Sequence, residues 1–142
     1  MEELFPSSTW LDTWVRLAND DASFRHASAG FDGSVGLVVL PGTAKGDQAT
    51  YMRMTALSGH WEDTQLGTDP LLVEDCVFTL AARPTAWRLM IEQQLHPLRA
   101  LVQGSVRLSG QLSTLLKWTE ALTVMTTLSG QIDTRFDHDP AQ

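Results

Sequence analysis

The sequence predicts an α+β domain, an antiparallel-rich sheet with helices on one face. Three observations lead there. Apolar residues recur at helical spacing before residue 30 and again after residue 84. Most of the segments with strict apolar alternation and many β-branched residues lie between them. The short segments that follow are opened by proline and closed by glycine.

"SSTWLDTWVRLAND" starts with cap-type residues and places Trp10, Trp14 and Leu17 at i, i+4 and i+7. This predicts a helix over 9–19, with Thr9 and Asp12 as a capping box. "NDDASFRHASAG" predicts a second short helix, capped by Asn19, Asp20 or Asp21 and stopped by Gly30. The period then changes. Phe31, Gly33, Val35, Leu37 and Val39 alternate, "GTAKGDQ" is a turn, and Met52, Met54 and Ala56 alternate again. A hairpin with one buried face follows. A short strand is expected around Trp61–Gln65, and another over 75–82 with Cys76, Phe78 and Leu80 on one face.

"RPTAWRLMIEQQ" and "HPLRALVQG" are short helices with proline at the start; Gly104 ends the second. "SVRLSG" is a short strand, and Gly110 turns the chain into a long helix from Leu112. The first half of that helix is helical by spacing. Its second half, "LTVMTTL", is rich in β-branched residues and fits either helix or strand. Residues 1–130 are expected to form a single domain, with 7–29 as a helical lead-in. The polar tail 131–142 is expected to be flexible.

Composition narrows function. The 142 residues suit one core. A formal charge of −7 argues against nucleic-acid binding, which needs a basic surface. No apolar run reaches membrane-spanning length, and "MEELFPSST" lacks the pattern of a secretory signal. A cytoplasmic protein is expected. Cys76 is the single cysteine, so no internal disulfide can form, and its alternation with Phe78 marks it as a small buried hydrophobe.

Catalytic patterns are absent from the sequence. No phosphate loop or nucleophile elbow occurs, and the four histidines show no paired-ligand spacing. His96, before Pro97 at an expected helix start, reads as a capping or surface residue rather than a catalytic one. His60 lies near Glu62 and Asp63, a set that could do acid–base work but reads more simply as a solvated loop. "DHD" at 137–139 is a weak metal pattern in the tail. We therefore expect no catalytic residue, metal or cofactor. The unusual feature is five tryptophans and five methionines in a small chain. Such residues fill an ordinary core or line an adaptable apolar cavity.

From "CVFTLAA" through "PTAWRLM", "LHPLRALVQG" and "GSVRLSGQL", the chain resembles a sterol carrier protein 2-like domain of the bacterial or archaeal type. The hairpin "FDGSVGLVVL" with "ATYMRMTAL" fits the first strands of that pattern, and "TWLDTWVRLAND" its helical lead-in. Gln111 stands where many members carry an aspartate that caps the final helix; Ser109 or Gly110 could serve instead. The "PAQ" end is not a peroxisomal tripeptide. The resemblance implies a five-stranded mixed, mostly antiparallel sheet with helices on one face and an apolar tunnel between them. It also implies non-enzymatic binding or transfer of a lipid, fatty acid, sterol-like or quinone-like molecule.

The tunnel walls would then be Leu37, Val39, Met52, Met54, Phe78 and Leu80 of the sheet, with Leu115, Leu116, Trp118, Leu122 and Met125 of the last helix. Opening of that helix would admit the ligand, its β-branched end being the weakest part. The alternative is a ligand-free interaction, dimerisation or accessory module with a filled core, acting as a homodimer or beside a partner enzyme.

Overall fold

The computed structural model describes residues 2–42 and 47–136. In chain order the elements are β1 (Glu3–Phe5), α1 (Ser8–Asp20), α2 (Ala22–Ala27), β2 (Gly33–Val39), β3 (Thr50–Leu57) and β4 (His60–Gly67). A 3-10 turn at Pro70–Val73 leads to β5 (Phe78–Ala82), α3 (Pro84–Ile91), α4 (Pro97–Val102) and β6 (Val106–Gly110). The chain closes with α5 (Leu112–Lys117), α6 (Thr119–Ser129) and β7 (Thr134–Phe136). The main sheet has the order β4-β3-β2-β5-β6. Only β2–β5 is parallel, so the sheet is mixed and mostly antiparallel.

Register explains which side chains meet the helices. Leu37 stands between Met52 and Leu80, and Val35 between Met54 and Phe78. Because strand side chains alternate, these six share one face, and all are buried. The expected hairpin with one buried face needs correction at β2, where Ser34 and Val38 of the second face are buried as well. β2 is the central strand, and the segment after β4 crosses its outer face. A β-carbon on Gly36 would run into Val73 there. Arg53 fastens this segment by donating to the Leu72 carbonyl at 3.2 Å and pairing with Asp75. The hydrogen bond from Arg53 holds the Asp75 carboxyl below its usual range. Burial pushes the neighbouring Cys76 thiol up, although Cys76 is only half-buried rather than in the core.

Local chemistry sets the helix starts. Ser7, not Thr9, caps α1, its hydroxyl accepting from the Trp10 amide at 3.1 Å. Asp12 instead accepts from Thr64 Oγ1 at 2.6 Å, tying α1 to β4. Asp21 caps α2 through the Phe24 amide at 2.8 Å. His96 caps α4, its Nδ1 accepting from the Leu98 amide at 3.1 Å. At α5 neither Ser109 nor Gly110 serves: Gln111 is the cap residue and makes no side-chain capping bond.

The final helix is not continuous. It breaks at Trp118 into α5 and α6. The β-branched half is helical, and Thr123, Thr126 and Thr127 satisfy their hydroxyls by donating to carbonyls four residues back, at 2.9–3.1 Å. Burial of Ala121, Met125 and Leu128 supplies the tertiary support.

The start of the expected tail is also structured. Residues 134–136 pair in parallel with Glu3–Phe5, so the packed chain runs past 130 at least to Phe136. Trp10 Nε1 donates to Thr134 Oγ1 at 2.9 Å, and the Phe5 and Phe136 rings lie 6.2 Å apart. Residues 137–142 lie outside the described residues.

β3 and β4 join through Ser58 and Gly59, both at positive φ (50° and 80°), as a two-residue hairpin turn requires. The turn docks on the end of α2: the Gly59 amide donates to Phe31 O at 2.8 Å, and Ser28 Oγ donates to Gly59 O at 3.2 Å. A β-carbon at Gly59 would collide with the Ser28 carbonyl. Gly59→Ala is therefore expected to cost about 2–3 kcal/mol, from backbone strain and the displaced contact. Urea denaturation checks this; an unchanged midpoint would contradict the docking.

Candidate functional site

Between the sheet and the helices lie two apolar cavities, of about 40 Å³ and 60 Å³. Trp14, Leu37, Leu80 and Leu122 line both. Leu37 and Leu80 form the shared floor on the sheet, while Trp14 of α1 and Leu122 of α6 contribute the remaining common wall. Trp14 is fixed because its Nε1 donates to the Met125 carbonyl at 2.8 Å and its ring lies 5.2 Å from that of Trp10. The smaller cavity extends toward Trp87 and Met90 of α3, and the larger toward Phe31, Trp61 and Trp118.

The few polar linings are spent internally. Ser28 Oγ donates to Phe24 O at 2.8 Å, Thr126 Oγ1 to Leu122 O at 2.9 Å and Ser129 Oγ to Thr126 O at 2.6 Å. No titratable side chain lines either cavity. The lining is apolar apart from these three hydroxyls, which suits burial of apolar surface. His60, Glu62 and Asp63 are exposed on β4 and line neither cavity. Among the described residues no group of three or more potential metal ligands occurs. The 137–139 pattern lies outside them. Among the described residues no helix is long and apolar enough to cross a membrane.

Seven of the eleven expected wall residues line the cavities. Leu37, Leu80 and Leu122 touch both, and Met54, Phe78, Trp118 and Met125 touch the larger. Val39, Met52 and Leu115 are buried but line neither; they are core. Leu116 is 54% exposed. It follows Leu115 by one residue, a rotation of about 100° that carries it off the buried face of α5. Sequence reasoning omitted the wall supplied by α1 and its neighbours, chiefly Trp10, Trp14 and Phe31. The tryptophan stripe at i, i+4 was the available signal.

The fold is that of sterol carrier protein 2. A crystal structure described as sterol carrier protein 2 superposes with a TM-score of 0.80 at 20% identity, covering 89% of this chain and 97% of that one. A solution structure from Thermus thermophilus, described as a conserved hypothetical protein with a suggested sterol carrier role, also gives 0.80. It is 21% identical and covers 95% of this chain and 93% of the other. Sterol carrier protein domain 2 of Helicoverpa armigera is more distant, with a TM-score of 0.56 at 17% identity and 87% of each chain covered. No protein-family model and no curated protein matches the sequence.

Proposed function

We propose that the chain binds an apolar small molecule, a lipid, fatty acid, sterol-like or quinone-like compound, and carries it without chemistry through the cytoplasm. The observation that carries this reading is the pair of apolar cavities sharing the Trp14–Leu122 wall over Leu37 and Leu80. The fold shared with structures described as sterol carriers supports it.

Each cavity is far below the roughly 300–1,000 Å³ of a small-molecule site, so binding requires expansion. α5 is the element to move. It is six residues long, lacks a side-chain N-cap and buries only Leu115. α6 is held more firmly, by Trp14 on Met125 O and by Gln93 Nε2 donating to Thr126 O at 2.9 Å. This reassigns the mobile part from the β-branched end to α5. The magnitudes allow it. Exposing one leucine costs about 2 kcal/mol, whereas an acyl chain of roughly ten methylenes gains about 8 kcal/mol on leaving water.

Displacement titration with a fluorescent long-chain fatty acid, together with native mass spectrometry, tests the proposal. One probe per chain, released by unlabelled apolar competitors, is expected. A protein that takes up no fatty acid, sterol or quinone probe would contradict it.

The small volumes also favour a second reading, a filled-core interaction module. Leu112 and Leu116, one turn apart on α5, are 55% and 54% exposed and would meet a second copy or a partner enzyme. Light scattering that shows a stable dimer, in a protein that binds no probe, is the outcome that reading expects.

A further inference from the structure

A third cavity lies at the end of the sheet where β2 and β5 finish and β6 begins. It is an open cup of about 560 Å³ and shares no lining residue with the two apolar cavities. The sheet separates the two spaces. On β5, Leu80 lines the apolar side and Ala81 the cup; on β6, Val106 lines the apolar side and Arg107 the cup.

Two arginines, Arg83 and Arg107, line this cup. Arg107 pairs across the ladder with Ala81. Arg83 lies two residues beyond Ala81 on backbone that is still extended (φ −72°, ψ 159°), so alternation returns it to the same side. The two are diagonal neighbours, with backbones roughly 7–8 Å apart, within reach of one group held between their long side chains. Neither guanidinium has a carboxylate or hydrogen-bond partner among the described residues, and no Asp or Glu among them lines the cup. With a formal charge of −7 the chain as a whole repels anions, so attraction of an anion here is local to the cup.

Thr85 and Ser105 add hydroxyls to the lining. Ser105 Oγ accepts from Gln103 Nε2 at 3.0 Å, which leaves its own hydrogen to donate. A carboxylate would bring two oxygens and one charge to this set. A phosphate monoester brings three terminal oxygens and nearly two charges, which matches two guanidinium forks. The cup is far larger than one phosphate and falls in the size range of small-molecule sites. Room remains for an organic part against Leu40 and Pro41.

We propose that this cup binds the phosphate group of an organic phosphate monoester between Arg83 and Arg107. The site is independent of the carrier reading, because the apolar cavities lie across the sheet from it.

Calorimetric titration of the whole chain with glycerol 3-phosphate, and co-sedimentation with phosphatidylcholine vesicles containing phosphatidic acid, test this and separate a soluble phosphate from a lipid headgroup. Saturable binding of at least one of the two is expected. Arg83→Gln and Arg107→Gln should each weaken it about tenfold. Arg25→Gln, which removes an exposed arginine outside the cup, should leave it unchanged. Binding of glycerol 3-phosphate assigns the cup to soluble esters; binding of the vesicles alone assigns it to a headgroup. No binding of either, or an equal loss in Arg25→Gln, overturns the proposal. So does glycerate, a carboxylate of similar size, binding as tightly as glycerol 3-phosphate. Should either cup variant fail to fold, the wild-type Nε–H resonances of Arg83 and Arg107 decide: shifts at both on addition of the bound phosphate support the proposal, and anything less overturns it. Fatty-acid binding by the two variants should match wild type, so failure here leaves the carrier reading standing.

Discussion

Ala121→Leu is expected to weaken apolar-probe binding at least tenfold while leaving the protein as stable as wild type or slightly more so. Ala121 is buried on α6 and lines the larger cavity. Leucine adds three carbons to a cavity of about 60 Å³. Filling it completely would return about 1.4 kcal/mol at ~24 cal/mol per Å³. Imperfect fit subtracts from that gain, so the net change lies between zero and this value. Binding responds differently, because the added side chain occupies the space from which expansion starts. Urea denaturation and probe displacement on the same samples check both halves. Retained affinity would place the probe elsewhere. A gain in stability in a protein that never bound the probe fits the filled-core reading.

The second large effect is expected at Trp14. Trp14→Ala removes the wall common to both cavities and the hydrogen bond to Met125 O, and should cost about 3–5 kcal/mol. Trp14→Phe keeps most of the ring and loses the N–H, so about 1–2 kcal/mol is expected. Leu122→Ala opens the same wall from α6. It should cost about 2 kcal/mol, because Leu122 is already half-buried rather than fully enclosed. All three are read by chemical denaturation. Where the wall opens, the carrier account also expects relaxed selectivity. A sterol-sized probe should gain affinity relative to a fatty acid in Leu122→Ala. An unchanged ratio would mean that Trp14 and Leu122 do not separate the two cavities in solution.

The main sheet was legible because its signals are local. Alternation in 33–39 and 50–57 fixes the side chains that face inward, and the register then brings Leu37, Met52 and Leu80 together. Pro84 and Pro97 fixed two helix starts for the same reason. What escaped depends on partners distant in sequence. The pairing of Thr134–Phe136 with Glu3–Phe5 joins the two ends of the chain and leaves no local trace. The second buried face of β2 arises only when the 70–77 segment crosses it. The helical form of 119–129 was undecided because its threonines and valine favour strands, and the burial of Ala121, Met125 and Leu128 that decides for a helix is tertiary.

The site was legible in part for related reasons. Periodicity places residues on the strand faces and on α6, and Met54, Phe78, Leu80 and Met125 among them line the larger cavity; that they hold a ligand is part of the proposal. Leu116 failed because an apolar residue need not face the core, and helical spacing alone did not separate it from Leu115. Trp61 was hidden among polar neighbours on an edge strand. Its inward placement depends on the irregular pairing near Ala56 and on Asn19 reaching from α1.

The most direct test is a methyl-labelled NMR titration of the whole chain with a long-chain fatty acid. The carrier account predicts saturation at one ligand per chain. The shifts should be largest for the methyl groups of Leu37, Met54, Leu80, Leu122 and Met125, with direct ligand contacts to them. A titration that does not saturate, or that moves only the exposed Leu112 and Leu116, would contradict it.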